Sequence, residues 1–142
     1  MNYYLTSLRK ENYEILEDNN FELIGFNEKS HLAEKLQCGD IIILYIGSRV
    51  SKIAGYVSVT DKYYWDTELI WDDVFPKRVK IKPIRVLEVA KMINIRALIH
   101  SLSFVTNKER YGMSFLSGLR QIPEEDAKYL IEQIERRKEN GI

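Results

Sequence analysis

Between Ser103 and Ile122 the chain reads Ser-Phe-Val-Thr-Asn-Lys-Glu-Arg-Tyr-Gly-Met-Ser-Phe-Leu-Ser-Gly-Leu-Arg-Gln-Ile. Phe104, Tyr111, Met113 and Phe115 supply apolar and π surface, while Asn107, Lys108 and Arg110 supply donors and positive charge. Gly112 and Gly118 let the backbone bend, or let a ligand approach it closely. Aromatics interleaved with cations suit a ligand that has both a flat face and a phosphate, because bases stack and phosphates attract Lys and Arg. A β-hairpin with aromatics inward and charges solvated has the same composition. The residue types alone leave both readings open.

A second set of candidates lies in Lys62 to Phe75, where Tyr63, Tyr64, Trp65 and Trp71 are mixed with Asp66, Glu68, Asp72 and Asp73. The two Trp residues could wall a binding site or cover one end of the core. The acids match no cation-binding loop in their spacing, so a solvated acidic loop is expected rather than a metal site. His31 and His100 have no companion acid and nucleophile nearby in sequence and read as structural. No Gly-rich phosphate loop, nucleophile elbow, His-rich metal signature or paired acid and base is present. The expectation is a non-catalytic chain with no cofactor and no metal.

The 21 basic and 21 acidic side chains cancel. Affinity for a polyanion must therefore come from a local patch, and Arg78, Lys80, Lys82, Lys108 and Arg110 are expected to gather into one. The single cysteine, Cys38, rules out an internal disulfide, and with two separated His it argues against structural zinc. No apolar run approaches membrane-spanning length and no signal peptide is evident. A cytoplasmic, soluble, monomeric protein without a membrane partner is the expectation. The 142 residues fit one domain spanning residues 1 to 142.

These candidates need elements to hold them. Asn2 to Ser7 is aromatic and strand-like. Lys10 to Asp18 reads as a helix with Tyr13, Leu16 and Ile15 inward. Phe21 to Phe26 reads as extended loop, and Ser30 as the cap of a short helix from His31 to Leu36. Gly39-Asp40 is a turn before Ile41 to Ile46, an apolar run that must be buried on both faces. Lys52 to Tyr64 is a longer strand with a bulge at Gly55, followed by the loop to Phe75. Arg78 to Val89 is a strand in which Pro83 demands an edge, bulge or kink. Ile95 to His100 is a helical turn or two, and Ser103 to Ile122 supplies one or two strands. Pro123 opens a last helix whose buried stripe is Ala127, Leu130, Ile131 and Ile134. Short strands, tight turns and few helices define an α+β class, a mixed and partly closed barrel.

Four segments share a further pattern: Tyr3-Tyr4-Leu5-Thr6 with Glu11-Asn12-Tyr13; Cys38-Gly39-Asp40-Ile41; Phe75-Pro76-Lys77-Arg78-Val79-Lys80-Ile81-Lys82-Pro83; and Leu102 to Lys108 running through Tyr111-Gly112 and Phe115 to Ile122-Pro123-Glu124-Glu125-Asp126. Together, in this order, they resemble the EVE domain family of the PUA-like group, which includes YTH domains. The resemblance implies a barrel flanked by helices, with a pocket between the first strand, its following helix and the 62–75 loop. Related domains hold one modified base there, typically methylated cytosine or adenine. Carried onto this chain, the base pocket would draw on Tyr4, Thr6, Asn12, Tyr13, Ile24, Gly25, Trp65, Trp71, Phe104, Asn107 and Tyr111. Arg78, Lys108 and Arg110 would take phosphate.

The sequence departs from its relatives at Tyr4, Tyr13 and Tyr111, where Trp is frequent, and near Ile24-Gly25, where YTH domains place one wall of an aromatic cage. Trp65 and Trp71 are better placed to match cage residues, and Phe21 or Phe26 could supply a missing wall. The chemistry required is clear: a flipped base needs walls for its faces and a few polar groups for its edge. An apolar floor rewards a methyl group by about 1 kcal/mol or less. The expected function is a module that binds DNA or RNA at a modified base; the alternative is a small-molecule or nucleotide binder, or an enzyme, using the same pocket.

Overall fold

The computed structural model describes residues 1–47, 49–115 and 118–139. In chain order the elements are β1 (Tyr3–Leu8), α1 (Lys10–Asp18), β2 (Leu23–Phe26), β3 (Ile41–Ile46), β4 (Lys52–Val59), β5 (Tyr64–Trp65), β6 (Lys77–Val86), β7 (Ile93–Asn94), β8 (Leu119–Gln121) and α2 (Glu124–Glu139). Short 3-10 turns occupy Ala33–Lys35, Val89–Lys91, Ile95–Ala97, Ile99–Ser101 and Tyr111–Phe115. They form an α+β fold, a mixed sheet curled into a half-barrel and flanked by two helices.

An apolar run such as Ile41 to Ile46 has no polar face to show to water, and β3 is buried at every position. It lies between β1, which runs parallel to it from Tyr3↔Ile41 to Leu8↔Ile46, and antiparallel β4. The strand order is β2-β6-β4-β3-β1-β8, with β5 added to β6 and β7 to β4. β2 and β8 are thus the two edges, and no hydrogen-bonded pairing joins them among the described residues. That open seam is where the cleft described below forms.

Phe21 to Phe26 differs from the expected loop, because Leu23 to Phe26 pairs with Lys80 to Lys77 of β6. Four residues carry too little local pattern to declare a strand; the partner creates it. The expected strand from Lys52 to Tyr64 ends at Val59, and Tyr64-Trp65 pairs separately with Lys77 and Arg78. The bulge at Gly55 is present: the β3–β4 register shifts between Leu44 and Tyr45. Pro83 sits where the β4–β6 register shifts, between Tyr56 and Val57, so its missing N–H falls at an irregularity. Among its described residues the 103–122 stretch supplies one strand, β8, preceded by the turn at Tyr111–Phe115.

The turn at Gly39, with φ of +96°, needs a residue without Cβ strain. Asp40 beside it is buried and accepts from the backbone N–H groups of Asn2 (2.9 Å) and Gln37 (2.9 Å), fixing the start of β1. The last helix buries Ala127, Leu130 and Ile134 against β1, β3 and β4, while Ile131 is half-buried at the margin. Its first-turn Asp126 accepts from Ser103 N (3.1 Å), Ser103 Oγ (2.8 Å) and Phe104 N (3.1 Å), joining the helix to the segment that leads into β8.

Further along α2, Glu135 accepts from Tyr56 Oη at 2.9 Å and from Arg85 Nε at 3.2 Å. Burial first, then the Glu135 carboxylate, push the Tyr56 phenol up to about 12. The folded state therefore holds this proton to higher pH than the unfolded chain, whose phenols titrate near ~10. The resulting stabilisation is complete below about pH 10 and is lost as pH rises toward 12. Urea midpoints measured from pH 8 to 12 should fall over that window, and Tyr56→Phe should make the fall shallower. An unchanged slope in the variant would remove this phenol as its source.

Candidate functional site

A cleft of about 460 Å³ opens at the seam of the half-barrel. One side is β1 and the start of α1, through Thr6, Ser7, Leu8, Arg9, Asn12 and Leu16. The opposite side is β2 and the segment after it, through Ile24, Gly25, Phe26, Asn27, Lys29 and Ser30. Trp71 and Phe75 come from the long loop, and Gly118 and Leu119 from the entry to β8. Most of the lining is apolar, with polar side chains from Thr6, Ser7, Arg9, Asn12, Asn27, Lys29 and Ser30.

The loop carrying Trp71 has no helix or long strand to hold it, so side chains do. Asn12 is polar but lies on the buried face of α1 beside Tyr13 and Leu16. Its Nδ2 donates to Asp72 Oδ1 at 2.9 Å, and its Oδ1 accepts from Asp72 N at 3.1 Å. Arg9 adds an ion pair to the other oxygen of Asp72 at 2.8 Å. Asp72 is thereby clamped to the start of α1, which fixes Trp71 next to it. One N–H of the Asn12 amide and one lone pair of its carbonyl are left over.

The underside of the loop is held by Arg78, which is 1% exposed. Its Nε donates to Phe75 O at 3.2 Å and its Nη2 to Val74 O at 3.0 Å and to Glu68 O, while Nη1 lies 3.5 Å from Asp66. The guanidinium also sits 5.1 Å from the Trp71 ring centre, a cation–π contact. Gly25 leaves room for this packing. A Cβ there would lie 2.6 Å from Trp71 Cζ3 and 2.8 Å from the Phe75 carbonyl oxygen.

Of the residues expected from the sequence to form a base pocket, the cleft brings together Thr6, Asn12, Ile24, Gly25 and Trp71. The others lie elsewhere, each for a physical reason. Tyr4, two residues before Thr6 on β1, is buried at the far end of the strand beside Asp40, and burial raises its phenol pKa. Tyr13 packs edge-on to Phe21 at 5.8 Å inside the core, and burial raises its phenol likewise. Trp65 lines a neighbouring recess and not the cleft. Phe104 is core, 5.7 Å from Phe115 and beneath the Arg120 guanidinium at 4.9 Å. Asn107 accepts from Glu109 N and Arg110 N and so closes a turn. Tyr111 receives Arg96 Nε at 2.9 Å. In residues 103–115, Phe104 and Phe115 thus pack in the core and Asn107 closes a turn, while Arg110 and Met113 are exposed away from the cleft.

The cations need the same correction. Arg78 is buried and committed to the loop, so it cannot meet a phosphate or join an exposed positive face. Lys108 Nζ donates to Leu102 O at 2.6 Å, and neither it nor exposed Arg110 lines the cleft. Lys80 and Lys82 are exposed on β6, outside the lining. The cations at the cleft are Arg9 and Lys29, which sequence reasoning missed, as it missed Phe75. A local sign existed for Arg9, which directly precedes α1; none existed for Lys29, which only the β2–β6 pairing brings to the seam.

No group of three or more His, Cys, Asp or Glu residues among the described residues is arranged to hold a metal ion. No helix among them is long and apolar enough to cross a membrane.

Similar architectures occur among solved structures. The Mmi1 YTH domain in complex with RNA superposes with a TM-score of 0.66 at 13% identity, covering 99% of this chain and 82% of that one. Human THYN1 in complex with 5-methylcytosine containing DNA superposes at 0.63 with 11% identity, covering 95% and 98%. These likenesses show the fold, which is of the PUA-like type. At the level of sequence no protein-family model matches. A UPF0310 protein of Pyrococcus horikoshii is 32% identical over 149 residues, covering 94% of this chain and 99% of that protein. The chain belongs to the UPF0310 family.

Proposed function

We propose that the protein is a non-catalytic nucleic-acid-binding module of the EVE kind, whose cleft takes one modified, most simply methylated, base of DNA or RNA. The observation that carries this reading is the cleft itself. Its volume of about 460 Å³ falls in the ~300–1,000 Å³ range of small-ligand sites. The Trp71 indole and the Phe75 ring supply flat surface; Leu16, Ile24 and Leu119 supply an apolar lining on which a methyl group gains burial. The spare N–H of Asn12, the Asn27 amide and the Ser30 hydroxyl can meet a base edge. Arg9 and Lys29 replace Arg78, Lys108 and Arg110 as the groups for phosphate; Lys29 has no ion pair among the described residues. The RNA and 5-methylcytosine DNA held by the two structural neighbours support a nucleic-acid ligand on the same fold.

A panel of DNA and RNA oligonucleotides, each with a single modified base, tests the reading by direct titration. One modified oligonucleotide should bind more tightly than its unmodified parent, with affinity falling as salt rises. Trp71→Ala should cost about 1–3 kcal/mol of that binding, the range for one stacking platform. Trp71→Phe, which keeps a ring beside Gly25, should recover part of it. Equal binding by the parent and the Ala variant to every oligonucleotide would remove the proposal. A free nucleotide bound in preference to every oligonucleotide, without salt dependence, would favour a small-ligand site instead.

A further inference from the structure

Next to the cleft lies a second recess of about 220 Å³, and the two share Asn27 and Phe75. Its far wall is the indole of Trp65, which is 57% exposed. An indole left this open on a mobile tip would be unremarkable, but here the backbone is fixed. Trp65 pairs with Lys77 across β5 and β6, and Asp66 N donates to Pro76 O at 3.0 Å. The ring is thus presented, not frayed. The carboxylates of Glu28 and Asp73 border the same recess, and neither forms an ion pair with another described residue.

We infer that this recess is a second subsite, which takes the base next to the one in the cleft and prefers a base whose edge offers N–H donors, guanine above all. The inference rests on the base-binding reading of the cleft. Phe75 and Asn27 line both recesses, which places them side by side, so two consecutive bases of one strand can occupy them together, the second stacked on Trp65. Carboxylates accept and cannot donate. Guanine presents adjacent N1–H and N2–H donors on its Watson–Crick edge, whereas thymine and uracil present two carbonyls to one N–H. The same carboxylates repel phosphate, so the strand's backbone must run on the Arg9 and Lys29 side of the cleft.

The test uses the intact protein with 5-methylcytosine and N6-methyladenine, each as a free 5′-monophosphate and within DNA and RNA tetranucleotides carrying guanine, or thymine or uracil, on both sides. The parent should bind a guanine-flanked tetranucleotide about tenfold more tightly than the corresponding monophosphate. Trp65→Ala should remove that gain and leave monophosphate binding unchanged. Glu28→Gln with Asp73→Asn should abolish the preference for guanine neighbours while keeping the gain from length. If Trp65→Ala leaves tetranucleotide binding as in the parent, or weakens monophosphate and tetranucleotide alike, the second subsite is overturned while the cleft reading stands. If the parent shows no neighbour preference, the guanine assignment is overturned. If it binds none of the probes but the wider oligonucleotide panel finds a modified ligand, a flanking guanine on that ligand replaces these probes and the same Trp65 comparison decides. If no oligonucleotide binds, both readings fall together.

Discussion

Gly55→Ala is expected to destabilise the protein by about 4 kcal/mol, a large part of the ~5–15 kcal/mol that holds a domain of this size folded. The residue lies in the middle of β4, between β3 and β6, where the sheet bends into its half-barrel. A Cβ at this position would lie 2.3 Å from the carbonyl oxygen of Arg85 and 2.9 Å from Cα of Val86. Both obstacles are backbone of the neighbouring strand, so no rotamer change relieves them. The strand pair must separate where Gly55 faces Val86 and Leu87 N donates to Ala54 O at 2.8 Å. Chemical denaturation should show the lost stability at an unchanged denaturant slope. A loss below 1 kcal/mol would mean that the β4–β6 approach is looser than the structure describes.

That glycine was legible as a bulge because it breaks a good alternation, and other elements were legible for similarly local reasons. The bounds of α1 follow from Tyr13 and Leu16 on one face, and β3 follows from an apolar run with no polar side. What was not legible is set by partners distant in sequence. Leu23 to Phe26 is a strand because β6 offers it Lys77 to Lys80, and Trp65 leaves the cleft because two residues of β5 are caught by the same strand. The site divides in the same way. Asn12 was visible only through the family resemblance, as a polar residue beside Tyr13. Its bond to Asp72, 60 residues away, was not. In the 103–122 stretch the sequence showed aromatics and cations but not their direction. Phe104 and Phe115 turn into the core beside Tyr45, whose ring lies 4.5 Å from that of Phe115. Lys108 donates to Leu102 O and Arg120 to Ser114 O, while Arg110 stays exposed.

Arg78 is the residue whose role changes most between sequence and structure, and its removal is expected to have the largest effect on the cleft. In a strand reading Lys-Arg-Val-Lys, a cation invites assignment to phosphate. Here the guanidinium is buried and distributes its donors over the carbonyls of Glu68, Val74 and Phe75. Arg78→Met keeps much of the side-chain volume but leaves those carbonyls without a charged donor and Asp66 without its ion pair. Hydrogen bonds to a charged group are worth about 1.5–3 kcal/mol each, and the exposed parts of the loop can recover some of them from water. The expected net loss is therefore about 3 kcal/mol. The cleft should suffer more than the fold. Once the underside of the loop is released, Trp71 loses the cation beneath its ring and Phe75, at φ of +44°, loses the bond that holds its carbonyl. Hydrogen exchange should rise in residues 66–75 while β1, β3 and β4 keep their protection, and binding of the modified oligonucleotide should be lost. Arg78→Lys should behave nearly as badly, because one ammonium cannot span three carbonyls in a planar fork. A phosphate-binding arginine would give the opposite pattern: full stability in Arg78→Met, good rescue by lysine, and a weaker salt dependence of binding.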